Sequence, residues 1–284
     1  MLNKMILRYP GHKQAGVLFP LLLLIILTLL ASLSGCSGQA AISKEELVKE
    51  MTAAFQDVET SQSELTIQVA VTGNEGDKPI NEVTSYYGST TLDIAGKKMQ
   101  MNLSPSDPSA GETMCLETYA IDNTLYLKFQ VPQQSEQWFK TGLPPGYWQN
   151  QNPFQQDLDL LKVSKVEIAG EEKVGEQNSY VVNVIPSKEK VADIVRQQTA
   201  AIQQMGGQIT GVKPEQVSQD LVLKQWIAAD TFLPLKKQLK ITLKTDTDTQ
   251  VSMDIVMKYN GYNQPVAITL PPEAKNAAQM RLTQ

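Results

Sequence analysis

From Leu65 onward, apolar side chains fall at every second position. Leu65, Ile67, Val69 and Val71 alternate with Thr66, Gln68, Ala70 and Thr72, and Met99, Met101 and Leu103 with Gln100 and Asn102. The same rule holds for Leu125, Leu127 and Phe129, for Leu239, Ile241 and Leu243, and for Val251, Met253, Ile255 and Met257. A period of two puts one set of side chains on each face of an extended chain, so these segments predict strands with one face buried and one in water. Turn signals lie between them at Ala95-Gly96-Lys97, Asp122-Asn123, Gly170 to Gly175, Asp246-Thr-Asp248 and Asn260-Gly261, which predicts antiparallel meanders.

The period is different before Leu65. Ser43-Lys-Glu-Glu46 has the form of a capping box, and Leu47, Met51, Ala54, Phe55 and Val58 then recur at helical spacing, predicting a helix over 44–59. A second helix is predicted over 188–205, capped by Ser187 and stopped by Gly206-Gly207; Gly142 to Pro153 reads as a long loop or lid. About ten strands at ~4.8 Å each make a sheet nearly 50 Å wide, and two helices ~10 Å across cover less than half of its apolar face. Curling, loops or a ligand must hide the rest. The fold class expected is α+β and β-rich: a strongly curved antiparallel sheet, a half-barrel of about ten strands, with two helices packed on its concave face.

The N-terminus has a different character. Lys4, Arg8 and Lys13 precede Val17 to Leu30, an apolar run broken only by Pro20 and Thr28, and no acidic residue occurs before Cys36. A basic start, a short apolar stretch and small residues after it predict a secretory signal; the run is marginal for spanning a bilayer. Leu33-Ser34-Gly35-Cys36 resembles the bacterial lipobox, which implies cleavage before Cys36 and lipid on its thiol. Two or three acyl chains would anchor the chain stably, where one would not. The domain expectation is a signal over 1–35, a tether over 36–42, one domain over 43–274 and a tail over 275–284.

Cleavage before Cys36 would remove three cations and no acid, taking the formal charge from −5 to −8. That argues against nucleic acid and against polybasic docking on anionic lipid. The sole histidine, His12, lies in the signal, so residues 36–284 lack the commonest general base, and His-dependent triads and His-ligated zinc are excluded there. With Cys36 acylated, Cys115 has no cysteine to pair with and reads as a small buried hydrophobe.

Glu171-Glu172 reads as part of a solvated turn and not as a catalytic pair. Asp246-Thr-Asp248 lacks the glycine and distal glutamate of a calcium loop. Gly206 to Gly211 does not match a phosphate-binding glycine motif. No catalytic residue, metal site or cofactor is assigned. Trp226 reads as core, whereas Tyr147-Trp148 could equally line a mouth.

Three stretches resemble the LolA/LppX superfamily: VEIAGEEKVGEQNSYVVNVIP (166–186), LKQWIAADTFLPLKKQLKIT (223–242) and the closing YNGYNQPVAITLPPEA (259–274). Ala229 before Asp230 departs from the family pattern. The resemblance implies a half-barrel whose mouth is plugged by helices and whose concavity takes acyl chains of lipids or lipoproteins. The expected function is therefore a membrane-anchored lipoprotein, held through Cys36 on the extracytoplasmic side of the cell membrane, that binds a hydrophobic or amphiphilic ligand without catalysis. The alternative is a protein-interaction or envelope-stress sensor domain with a closed core. Met99, Met101, Trp138, Phe139 and Met257 are the expected ligand contacts, because Met and aromatic side chains adapt to flexible chains.

Overall fold

The computed structural model describes residues 42–75, 78–107, 115–130, 137–150, 152–193, 196, 221–244 and 249–280. The alternating segments all form strands. In chain order the elements are α1 (Lys44–Gln56), β1 (Thr60–Glu75), β2 (Lys78–Asp93), β3 (Lys98–Pro105), β4 (Cys115–Ile121), β5 (Thr124–Gln130) and β6 (Gln137–Gly142). Then come α2 (Tyr147–Asn150), α3 (Pro153–Val163), β7 (Lys165–Val174), β8 (Gln177–Ile185), β9 (Val222–Ala228), β10 (Pro234–Lys244) and β11 (Gln250–Tyr262). A 3-10 turn (Pro272–Asn276) and the two-residue β12 (Ala278–Gln279) close the described chain.

All twelve strands among the described residues belong to one open, curved sheet, ordered β12-β6-β5-β4-β3-β2-β1-β11-β10-β9-β8-β7. Two meanders, β1 to β6 and β7 to β11, meet along the antiparallel β1·β11 seam, where Leu65 faces Met257 and Ile67 faces Ile255. The chain must therefore travel from β6, near one edge, to β7 at the other, and α2 and α3 lie on that crossing. The strand count exceeds the ten expected. β2 adds to the surprise, since Thr84, Gly88 and Thr90 break its apolar pattern. Gly88 is required: a Cβ there would lie 2.0 Å from the carbonyl oxygen of Asn102 on β3, so the two backbones close up on a bare glycine.

One face, here called inner, carries the main core. Leu65, Ile67, Val69, Leu239, Ile241, Ile255 and Met257 pack in one cluster with Leu47, Met51 and Phe55 of α1, as the alternation predicts. The side chain of Leu243 lies outside the described residues. Ser43 caps α1 as expected, accepting from the Glu46 amide at 3.1 Å.

The second helix on this cluster is α3, which contributes Phe154, Leu158, Leu160 and Leu161. The sequence reading placed a loop up to Pro153 and no element over 154–163. Asn152 caps it, accepting from the Phe154 and Gln155 amides, and Pro153 opens it, where a missing N–H costs nothing. Of the helix expected over 188–205, residues 188–193 are helical and the Ser187 hydroxyl accepts from the Lys190 amide at 3.2 Å. Residues 197–205 lie outside the described residues, as do Gly206 to Gly211 and Asp246 to Asp248.

Three further expectations change. Glu171 and Glu172 lie in strand β7; the turn is Gly175-Glu176, with Gly175 at φ 62. Gly170 instead sits at an irregularity in the β7–β8 register. Cys115 is a half-buried free thiol rather than a buried one. The closing strand ends at Tyr262, and the chain then crosses the outer face without pairing until β12 joins β6 in parallel. On that path Ile268, Ala274 and Ala277 bury against Tyr119 and Trp138, so packed chain continues into the stretch expected as a tail. Asn263, in the left-handed region at φ 54, pins the start of the crossing by accepting from the Glu59 amide and donating to the Asp57 carbonyl, both at 2.8 Å. Among the described residues no helix is long and apolar enough to cross a membrane.

Candidate functional site

Strand register separates the five expected ligand contacts. Met101 faces Thr90 on β2 and Thr118 on β4; Thr118 faces Leu127 on β5, and Leu127 faces Phe139 on β6. These five residues form one row across the inner face, and Met99 lies two positions along from Met101 on the same side. Trp138 adjoins Phe139 in the strand and so must point the opposite way. It packs outside with Tyr119, ring centroids 5.9 Å apart, beneath the C-terminal crossing. Met257 is on the inner face but across the seam, opposite Leu65.

Burial differs along this face. Over β8 to β11, Val182, Leu239 and Ile255 have no exposure, and Leu223 has 1%. Over β3 to β6, Met99, Leu127 and Phe139 are only half-buried, while Met101 is 1% exposed. This part of the face carries no charge: the described side chains on its three rows are Met99, Ala120, Leu125, Thr141, Met101, Thr118, Leu127, Phe139, Leu103, Leu116 and Gln137, of which Ala120, Leu125, Met101, Thr118, Leu103 and Leu116 are buried. Tyr147 and Trp148 sit on α2 as an edge-to-face pair, 5.3 Å between centroids. The Trp148 indole donates to the Asp122 carbonyl in the β4–β5 turn and packs against the main core.

The other half of the inner face holds a charge cluster that the sequence reading missed. Asp157 on α3 and Lys237 on β10 are both fully buried and form an ion pair. Gln225 on β9, opposite Lys237, donates to Asp157 at 3.4 Å. The Lys237 ammonium also lies 5.2 Å from the Tyr259 ring centroid, and Tyr259 stacks on Tyr262 at 5.4 Å. A signal for it existed. Lys237 is in phase with Leu235, Leu239 and Ile241, and Asp157 shares a helical stripe with Phe154, Leu158 and Leu161.

Burial pushes the Asp157 carboxyl up to about 7 from 3.8, against the pull of Lys237 and the Gln225 hydrogen bond. Burial likewise raises the Tyr259 and Tyr262 phenols. With Asp157 raised in the folded state, the native protein holds a proton between about pH 4 and pH 7 that the unfolded chain has released. Its contribution to stability is thus fully present below that interval and is lost as pH rises through it. Thermal melts from pH 4 to 8 should show wild type losing stability relative to Asp157→Asn as pH rises. A constant difference between the two would mean that Asp157 does not titrate there.

On the outer face, Glu172 accepts from the Trp226 indole at 2.7 Å, and Lys224 and Lys236 lie over that ring at 4.8 and 4.0 Å. Trp226 is buried, and these contacts give Glu172 a packing role. Among the described residues no three His, Cys, Asp or Glu side chains group as metal ligands.

Residues 43–279 match a family described as a family of unknown function, DUF6612. The chain belongs to DUF6612. No functionally curated protein matches this DUF6612 chain. Among solved structures it is similar to the lipoprotein LppX of Mycobacterium tuberculosis, at 9% identity over 80% of this chain and 100% of that one, with a TM-score of 0.41. It is also similar to a DUF1329 protein from Desulfovibrio piger, at 16% identity over 80% of this chain and 93% of that one, TM-score 0.26. A third is the ywiB protein of Bacillus subtilis, at 10% identity over 72% of this chain and 94% of that one, TM-score 0.23.

Proposed function

We propose that this DUF6612 protein is a non-enzymatic lipoprotein, held through Cys36 to the extracytoplasmic side of the cell membrane, that binds the apolar part of a lipid or acyl chain on the concave inner face of its sheet. The observation that supports this most is the uncharged strip on β3 to β6, where Met99, Leu127 and Phe139 stay half-exposed beside a fully packed half. Large apolar side chains half-exposed together on one face of a sheet are a surface for an apolar ligand. The anchor reading rests on Leu33-Ser34-Gly35-Cys36 after its basic and apolar lead.

A second reading, an interaction or envelope-stress sensor domain with a closed core, is favoured by the burial of Met101 and Met257 in the main cluster. One variant separates the two. In a ligand-binding face, Met101→Lys weakens binding of a fluorescent fatty acid while the protein melts normally, because the ammonium reaches water at the mouth. In a closed core it buries an unpaired charge and costs several kcal/mol, about 3 or more, with melting lowered accordingly. The anchor is tested with a palmitate analogue: label should enter wild type and be absent from Cys36→Ser, and label in the variant would defeat the lipobox reading.

A further inference from the structure

Two hydroxyls on the row across the inner face have no hydrogen-bond partner among the described residues. Thr118 is 2% exposed, its Oγ1 is buried, and nothing among the described residues bonds it; the buried Oγ1 of Thr90 is in the same state. They flank Met101 in the row, one on each neighbouring strand. An orphaned buried hydroxyl is a cost to the fold, and Val would fill either position without that cost and with better strand propensity. Two such groups on opposite sides of one methionine, Thr118 also lying opposite the half-exposed Leu127, call for a polar partner that arrives with the ligand.

The surroundings restrict what that partner is. No cation lies on the β3 to β6 rows, so a carboxylate or phosphate placed there would lose its hydration without a counter-charge. A bare hydrocarbon would leave both hydroxyls unpaired. A neutral carbonyl on an apolar body satisfies both conditions, since it accepts from a hydroxyl and brings no charge. Resting on the ligand-binding reading above, we propose that Thr118, with Thr90, is a specificity determinant that selects a neutral acyl ester, a diacylglycerol-like lipid, by donating hydrogen bonds to its ester carbonyls.

The test uses the full chain with three probes: dioleoylglycerol, oleate at pH 8 and hexadecane, each measured by native mass spectrometry and by the shift in melting temperature. Wild type should bind dioleoylglycerol at least tenfold more tightly than oleate. Thr118→Val should lose about tenfold for dioleoylglycerol and keep its hexadecane binding, while the ligand-free protein melts no lower than wild type because no native bond was removed. Thr118→Ser, which restores the hydroxyl, should recover the preference. A ligand-free Thr118→Val that melts clearly lower than wild type shows a structural partner for the hydroxyl and overturns the proposal. Equal binding of dioleoylglycerol and hexadecane by wild type and Thr118→Val overturns it too, and leaves the ligand-binding reading standing. Binding of none of the three probes by wild type overturns both.

Discussion

Lys237→Ala is expected to lower stability by about 3–5 kcal/mol in urea denaturation, the largest loss for any single polar side chain in this fold. The reason is what stays behind. Asp157 is fully buried on α3, held by Lys237 and Gln225, and removal of the cation leaves a buried acid with no counter-charge, near the Gln225 amide and the Tyr259 and Tyr262 phenols. Replacing both partners at once, Asp157→Leu with Lys237→Met, should restore most of the loss, since a buried pair is often worth little against apolar residues of similar volume. The double variant then separates stability from purpose. If it folds as well as wild type but its binding or interaction properties change, the pair is kept for function; equal folding and equal behaviour would show that it is dispensable.

Phe154→Ala should cost about 3–5 kcal/mol, and for a different reason. Phe154 is 1% exposed and sits 5.1 Å from Phe55 of α1, 6.4 Å from Tyr259 and 6.0 Å from Tyr262, ring centroid to ring centroid. It is the residue through which the β6-to-β7 crossing grips both α1 and β11. The cavity left by its removal lies under α3, so hydrogen exchange of α3 amides should quicken before that of β1 and β11. Equal exchange in all three elements would show that α3 unfolds only with the whole domain.

The inner-face strands of the core were legible because their side chains obey a strict period. Leu239, Ile241, Ile255 and Met257 could face only one way once Leu65 was placed. β2 was not legible, because its inner positions hold Thr84, Tyr86, Gly88 and Thr90, a set shaped by close backbone approach rather than by hydrophobicity. α3 was hidden behind the Pro-Pro-Gly loop before it, although Asn152-Pro153 is a sound helix start. Pairing Trp138 with Phe139 as joint ligand contacts ignored the alternation that had served elsewhere. The Asp157–Lys237 cluster was missed because the alternation was read only from Leu239 onward and no element was read over 154–163. In a sheet with one buried face, a lysine in phase with three aliphatic residues is the informative exception.

The β1·β11 seam also dictates an order of events as the chain folds. Thr72 finds its neighbour at Gln250 and Ser61 at Tyr262, so the centre of the sheet joins segments far apart in the sequence. Each meander, by contrast, pairs strands that follow one another in the chain, most of them joined by short loops that close quickly, the 36 residues between β8 and β9 being the exception. Both halves can therefore form while β1 and β11 still present bare edges, and the slow step is their docking edge to edge. For a chain made from its N-terminus at about 5–20 residues per second, Leu65, Ile67 and Val69 wait on an open strand until β11 has been synthesised. During that wait β1 is the segment most open to wrong pairing, and Glu64, directly before its apolar run, is its gatekeeper.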